Sequence, residues 1–208
     1  MSYFWNNFYK NKKSRLNPSN FAKYCVKNFF TRNKSILDIG CGNGRDSFYF
    51  KKKKLIVTGV DKSKVIIEQN LSKNIYKDIN FIAKDINDRS FNKIGKFHFI
   101  YARFFLHTID KKSEKKLFNN FVKIGYKKKT KVFLEFRTIK DPLKKRGRKI
   151  SSNETFTDHY RRFIEVESLI KKLKKMKNLK IINVIEKKGL ARFGNENPVV
   201  CRLILKIL

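Results

Sequence analysis

Short apolar runs alternate with longer amphipathic stretches along most of this chain. Five runs rich in Val, Ile, Leu and Phe have the length and composition of strands that are buried on both faces of a sheet. They lie at residues 35–39, 55–60, 79–83, 97–101 and 131–136. Hydrophobic residues recur at helical spacing in other stretches. These predicted helices lie at residues 18–30, with Ser19 as N-cap, and at 45–53, 64–73, 113–125 and 162–176.

This alternation predicts an α/β fold with a mostly parallel sheet. Two further strands are predicted at 180–186 and 199–207, and the link between them is too short for a helical crossover, so they should pair antiparallel. The polar, irregular stretch 137–158 is expected to be a long loop near the functional site. With 208 residues the chain fits a single domain. We expect residues 1–33 to form a helical cap and residues 34–208 to form the core.

Three glycines spaced by two residues follow the first predicted strand. They are Gly40, Gly42 and Gly44, and the next helix is predicted to begin at Arg45. Backbone without side chains next to the amino end of a helix favours close approach of a ligand. A cofactor that contains a nucleoside is the expected ligand. The spacing differs from the dinucleotide-binding pattern G-x-G-x-x-G.

Two acids follow the next two predicted strands. Asp61 ends the second strand, roughly 20 residues after the glycines, where a carboxylate can accept both hydroxyls of a ribose. Asp85 follows the third strand and can accept a hydrogen bond from an adenine amine, while Ile86 packs on the ring. The alternative is a structural corner in which Asp61 and Asp85 only cap the helices that follow them.

The motifs Asp38-Ile-Gly-Cys-Gly-Asn-Gly44, Gly59-Val-Asp61 and Ala83-Lys-Asp85-Ile86 together resemble the class I, Rossmann-like methyltransferases that depend on S-adenosylmethionine. The resemblance covers residues 35–208. It implies a three-layer α/β fold whose seven-stranded, mostly parallel sheet has an antiparallel last strand. It also implies S-adenosylmethionine as the cofactor and no metal. The residues that would bind the cofactor by this likeness are Asp38, Gly40, Gly42, Gly44, Asp61, Asp85, Ile86 and Tyr101.

Acceptor-binding and catalytic residues are expected at the carboxyl ends of the fourth and fifth strands, where ligands of open α/β sheets collect. Arg103, His107 and Arg137 lie there, and His159 could join them. The arginines suit an anionic acceptor. For a hydroxyl acceptor His107 is the first candidate base and His159 the second. An ionised acceptor oxygen would need no base, and His107 would then donate a hydrogen bond; it could also be a purely structural side chain.

Other motifs, present or absent, limit the kinds of molecule that could accept the methyl group. The sequence lacks the Pro-Pro-aromatic motif of enzymes that methylate amino groups of nucleobases or glutamine, and no Pro-Cys pair marks a cytosine-carbon methyltransferase. Stretches 101–107, 157–163 and 189–198 resemble small methyltransferases found among genes for surface polysaccharides. Of the adjacent Arg161 and Arg162, at most one should reach the site if both lie on a helix. An aromatic amino-terminal segment could form a lid over the cofactor or simply pack on the core, through Tyr3, Phe4, Trp5, Phe8 and Tyr9.

The net charge is compatible with two hypotheses about the binding partner, and the cysteines bear on the cellular location. The net charge of +34 fits a nucleic-acid partner, yet coding drift towards Lys and Asn, with only 9 Gly and 3 Pro, produces the same charge. Three widely separated cysteines and the lack of a long apolar run or signal segment predict a cytoplasmic protein. The leading hypothesis is methylation of oxygen or nitrogen on a small or carbohydrate-linked, anionic acceptor. The alternatives are an RNA or DNA methyltransferase and a noncatalytic binding protein.

Overall fold

The structure is a computed structural model that describes residues 2–11, 17–73 and 77–208. In chain order its helices and strands are α1 (Ser2–Asn11), α2 (Asn20–Asn28), β1 (Ser35–Ile39), α3 (Arg45–Lys52), β2 (Ile56–Asp61), α4 (Lys64–Ser72), β3 (Asn80–Ala83), β4 (Phe99–Arg103), α5 (Lys111–Ile124), β5 (Lys131–Arg137), β6 (Arg148–Ser151), β7 (Glu154–Phe156), β8 (Tyr160–Arg162), α6 (Val166–Lys174), β9 (Leu179–Lys187) and β10 (Val200–Ile207).

A seven-stranded sheet in the order β3-β2-β1-β4-β5-β10-β9 forms the centre of the fold. Strands β1 to β5 are parallel, and β10 lies antiparallel between β5 and β9. The expected mostly parallel sheet with an antiparallel last strand is therefore confirmed. Because the strand directions agree, Ile39, Asp61, Ala83, Arg103 and Arg137 all end at the same edge, called here the carboxyl edge.

Helices cover both faces of the sheet and make the three layers. Successive residues of a strand point to opposite faces, so Ile36 and Leu37 of β1 belong to different clusters of buried side chains. Ile36 lies in the cluster that contains Phe21 of α2 and Phe50 of α3. Leu37 lies in the cluster that contains Phe121 of α5. The Ser19 hydroxyl caps α2 as predicted, accepting a hydrogen bond from the Ala22 amide at 3.0 Å.

The prediction that residues 137–158 form a long loop is wrong. After a 3-10 turn at Pro142–Lys145 the chain forms a small antiparallel sheet of β6, β7 and β8. Every residue of β6 is exposed, so no alternation of apolar and polar residues signals that strand. The helix predicted at 162–176 also begins later, at Val166, because Arg162 is held in β8 and bonded to Glu114 of α5.

Candidate functional site

The glycine loop between β1 and α3 forms the centre of the carboxyl edge. Gly40 has a φ of +69°, a left-handed conformation that side chains rarely adopt, and a β-carbon there would lie 2.6 Å from the Phe105 ring. The amides of Gly40 and Cys41 donate to the Val60 carbonyl at 2.8 and 3.0 Å. Asn70 fixes the far side by donating to the Gly42 carbonyl at 2.7 Å. The loop is thus bare backbone held in one shape, as close contact with a ligand requires.

Asp61 lies beside this loop and is bonded to it. One carboxylate oxygen accepts the Gly42 amide at 3.1 Å, and the other accepts the Ser63 amide at 3.0 Å. Burial raises the pKa of this carboxyl group, although both amide bonds oppose the shift. Each carboxylate oxygen has more than one lone pair, so both can still accept hydrogen bonds from a ligand. The residue has the geometry of a diol-binding acid.

Asp85 and Ile86 follow β3 at the same edge, but they differ in exposure. Asp85 is half-buried and accepts the Asn87 amide at 2.8 Å. Ile86 is only 4% exposed and packs within the cluster that contains Leu106 and Leu117. Asp85 is therefore accessible to a ligand, whereas Ile86 offers little surface.

Asp38 lies beneath the glycine loop in a buried polar layer. It is 3% exposed and accepts the Ser47 hydroxyl at 2.6 Å. Burial, and then the nearby Asp46, raise its pKa from 3.8 to about 8. Its buried side chain therefore joins β1 to α3 through Ser47 and offers little surface to a ligand.

The raised pKa of Asp38 predicts that an asparagine there stabilises the protein at high pH. The neutral carboxyl group of Asp38 contributes fully to the stability of the wild-type fold below about pH 4. This contribution is lost as pH rises towards about 8, because Asp38 ionises in the unfolded chain while it stays protonated in the folded protein. Asparagine cannot ionise and still accepts the Ser47 bond. In urea titrations, Asp38→Asn should gain stability relative to wild type between about pH 5 and pH 9. Asp78→Asn, at an exposed position, is the control; parallel curves for Asp38→Asn and wild type would contradict the assignment.

Tyr101 is a positioning residue in this structure, since it has no exposed surface. Its hydroxyl donates to the Asp46 carboxylate at 2.8 Å, and Asp46 also accepts the Ser19 amide and hydroxyl, each at 2.7 Å. This junction joins β4, the start of α3 and the start of α2. Sequence reasoning missed Asp46, although an acid in the first turn of a helix that follows a glycine loop is a usable signal.

Arg103 lies at the end of β4 and is half-buried. Its Nε donates to Glu135 at 2.9 Å, and its guanidinium lies over the Phe104 ring at 4.2 Å from the centroid. The other oxygen of Glu135 accepts Arg202 Nε at 2.8 Å. One buried carboxylate therefore holds two arginines, and the terminal nitrogens of Arg103 make no hydrogen bond to another described residue.

His107 is buried, at 4% exposure, in the 3-10 turn after β4. Its Nδ1 lies 3.4 Å from the Arg137 amide and accepts its hydrogen, which leaves the ring proton on Nε2. Burial, followed by the charges of Arg137 and Arg161, lowers its pKa well below 6.5. His107 is therefore neutral near pH 7, with its ring proton on Nε2.

The remaining expected site cations are engaged in ion pairs. Arg137 donates to both oxygens of Asp141, at 3.2 and 3.1 Å, and to Glu196 at 2.6 Å. Arg161 and Arg162 lie on strand β8 rather than on a helix, and Arg162 is bonded to Glu114 at 2.6 Å. These arginines hold the small sheet and its neighbours in place.

His159 lies under α1. Its ring is 4.8 Å from the Phe4 ring and 4.8 Å from the Trp5 ring. Burial, then Arg161, lowers its pKa to about 4, so the ring is neutral at physiological pH. Asn6 accepts the Ser63 hydroxyl at 2.6 Å, two residues after Asp61. Helix α1 thus extends from the end of β2 to the small sheet. The side chains of Tyr3 and Tyr9 lie outside the described residues.

Part of the chain is similar to known proteins. Residues 36–124, from β1 to the end of α5, match the family model described as a methyltransferase domain. The chain is 31% identical over 117 residues to "Putative methyltransferase 235L" of Invertebrate iridescent virus 6. That match covers 52% of this chain and 43% of the viral protein, so it spans less than half of the relative's length.

Solved structures share the fold over most of their length. An S-adenosylmethionine-dependent methyltransferase from Methanosarcina mazei is 17% identical, with a TM-score of 0.73 over 88% of this chain and 96% of that one. The glycopeptide N-methyltransferase MtfA, in complex with S-adenosylmethionine, is 11% identical, with a TM-score of 0.69 over 92% and 95%. Residues 36–124 are thus similar to a methyltransferase domain, and the fold is that of these solved methyltransferases.

No three His, Cys, Asp or Glu side chains in the described ranges are grouped as metal ligands. Within the same ranges, none of the helices is both long and apolar enough to cross a membrane.

Proposed function

We propose that the protein transfers a methyl group from S-adenosylmethionine to oxygen or nitrogen of a small or carbohydrate-linked acceptor that carries negative charge. The observation that carries the proposal is the hydrogen bond between the Gly42 amide and Asp61. It brings bare backbone and a diol-binding carboxylate together at the carboxyl edge, where ligands of this fold class bind. Arg103, half-buried at the same edge, supports the anionic acceptor.

The residues present fit this cofactor. Gly40, Gly42 and Gly44 would hold the methionine part together with the main chain near Asp38. Asp61 would accept the ribose hydroxyls, and Asp85 would accept the adenine amine. Ile86 would supply an apolar wall from its buried position, and Tyr101 would act by holding Asp46 beneath the loop.

S-adenosylmethionine supplies an activated methyl group on a sulfonium, so the protein has to orient the acceptor and exclude water. His107 would donate a hydrogen bond from its Nε2–H to the acceptor and hold it in line, and would keep its proton. A neutral donor is compatible with an acceptor oxygen that is already ionised, and such an oxygen needs no base. Arg137 and His159 would shape this part of the site through the contacts they make with Asp141 and α1.

Helix α1 supports the proposal that residues 1–33 form a cap on a single domain of residues 1–208. The helix packs Phe4 and Trp5 on His159 and bonds Ser63 through Asn6. Such a cover would reduce water access to the site. Cys25, Cys41 and Cys201 are free, buried thiols, which fits a reducing compartment such as the cytoplasm.

A second candidate, methylation of RNA or DNA, is favoured by the net charge of +34. The positions of two lysine runs argue against it, although a third, Lys111-Lys112, begins α5 after the carboxyl end of β4. Exposed residues 52–54 precede β2, and exposed residues 127–129 precede β5. Both runs therefore lie at the amino ends of parallel strands, opposite the carboxyl edge. A polymer bound there would not reach the proposed donor site.

The test is transfer of labelled methyl from S-adenosylmethionine into an extract of the source cells, followed by separation into nucleic acid, protein and small molecules or glycans. Asp61→Ala protein serves as the control for methylation by other enzymes in the extract. We expect label in the small-molecule or glycan fraction that depends on wild-type protein. Label in nucleic acid would support the second candidate, and equal label with Asp61→Ala would contradict methyl transfer by this protein.

A further inference from the structure

A cleft of about 130 Å³ opens at the carboxyl edge on the far side of the glycine loop from Asp61. It lies between the start of α2, the start of α3, the end of β4 and the loop that joins β9 to β10. Three arginines line it: Arg45, Arg103 and Arg192. Asn17 and Asn20, before and at the start of α2, line the same wall.

Among the described residues, Arg45 has one long ion pair, with Asp46. Its guanidinium makes no hydrogen bond to any described residue, and the nearest carboxylate oxygen, on Asp46, is 3.8 Å from its Nε. That carboxylate is already engaged by Ser19 and Tyr101. The Arg45 side chain is only 21% exposed, so water compensates its charge poorly. A half-buried guanidinium that lines a cleft and makes no hydrogen bond to a described residue can hold a further anion there.

Arg103 adds a second charge to the same cleft. It shares the single carboxylate of Glu135 with Arg202, so two arginines face one acid. Its terminal nitrogens make no hydrogen bond within the part of the chain that the structure describes. The two lining guanidiniums also repel each other, since burial and then Arg103 lower the pKa of Arg45. The positive end of helix α2 strengthens the field at the cleft wall.

We propose that this cleft binds an oxyanion, a carboxylate or phosphate group, and that the oxyanion belongs to the methyl acceptor. Planar guanidiniums grip such groups through paired hydrogen bonds. The position argues for the acceptor. Asp61 and Asp85 follow β2 and β3 on one side of β1, whereas the cleft lies on the other side, towards β4 and β10. The assignment to the acceptor rests on the proposed methyl transfer.

The first experiment measures oxyanion binding without the cofactor. Inorganic phosphate is titrated at constant ionic strength into ¹⁵N-labelled protein, and the side-chain arginine signals are followed. Arg45→Gln should weaken phosphate binding by about tenfold or more, because a charge-assisted contact is lost. The matched control Arg32→Gln removes an exposed arginine at the opposite, amino edge and should leave phosphate binding unchanged. Equal phosphate affinity in Arg45→Gln and wild type would overturn the proposal.

The second experiment separates the acceptor from the donor, whose methionine part also carries a carboxylate. Calorimetry compares S-adenosylmethionine with its decarboxylated analogue on wild type and Arg45→Gln. If the cleft serves the acceptor, Arg45→Gln binds S-adenosylmethionine as wild type does. If Arg45→Gln weakens S-adenosylmethionine but not the analogue, the cleft holds the donor carboxylate and the acceptor assignment is overturned.

The two experiments also keep this inference apart from the proposed function. Wild-type protein that binds phosphate through Arg45 but does not bind S-adenosylmethionine would support the oxyanion site while overturning methyl transfer and, with it, the acceptor assignment. Wild-type protein that binds S-adenosylmethionine but not phosphate would overturn the oxyanion site alone.

Discussion

Replacing Asp61 by alanine is expected to weaken S-adenosylmethionine binding by about 100-fold or more. Hydrogen bonds to a charged acceptor contribute about 1.5–3 kcal/mol each, and the ribose would lose two. The substitution also removes the acceptor for the Gly42 and Ser63 amides, which loosens the glycine loop. Both effects weaken the binding of S-adenosylmethionine.

Calorimetry with purified wild type, Asp61→Ala and Asp61→Asn provides the measurement. Asparagine keeps one acceptor oxygen, so the affinity of Asp61→Asn for S-adenosylmethionine should lie between those of wild type and Asp61→Ala. Asp78→Ala, which removes an exposed acid that pairs with Lys51, controls for the change in net charge and should bind as wild type does. If Asp61→Ala remains folded and binds with unchanged affinity, the ribose is held elsewhere and the donor site is misassigned.

The part of the site that could be predicted from sequence is local. Strand β1 and its glycine loop are read directly from an apolar run followed by glycines. Asp61 and Asp85 follow because the carboxyl ends of parallel strands must meet at one edge. No knowledge of distant contacts is needed for any of these positions.

The part that could not be predicted depends on partners far along the chain. Arg137 is engaged by Glu196, 59 residues away, and Arg162 by Glu114, 48 residues away. Sequence shows the cations but not which acids engage them, so it cannot separate a structural arginine from a free one. Arg45 was missed for a related reason, since the cleft that it lines is formed with Ala191 and Arg192 of the distant β9–β10 loop.

Glu135 shows how a single buried acid organises this edge. It is 1% exposed in the middle of the apolar sheet, opposite Arg202 on β10. The cost of burying its charge is offset by Arg103 and Arg202, each bonded to a different oxygen. Because β4, β5 and β10 supply the three side chains, the network also fixes where Arg103 lies at the carboxyl edge.

We expect Glu135→Gln to lower the free energy of unfolding by about 3–5 kcal/mol, the cost of leaving buried charges without a partner. The amide can accept a hydrogen bond from only one of the two arginines. Urea unfolding checks this, and Glu68→Gln, the same change at an exposed position of α4, corrects for the added positive charge. If Glu135→Gln lowers the free energy of unfolding only as much as Glu68→Gln does, the stabilising role of the Glu135 ion pairs is contradicted.

A double variant tests whether the loss arises from the unpaired arginine rather than from packing. Arg202→Gln combined with Glu135→Gln removes the excess charge along with the acid, so the double variant should be more stable than the sum of the two single losses predicts. Strictly additive losses would mean that Glu135 acts through its shape alone. In that case Arg103 would not depend on the acid for its position, and phosphate binding at the cleft should survive Glu135→Gln. Positive coupling, with weakened phosphate binding in Glu135→Gln, would tie the buried ion pairs of the sheet to the oxyanion site above them.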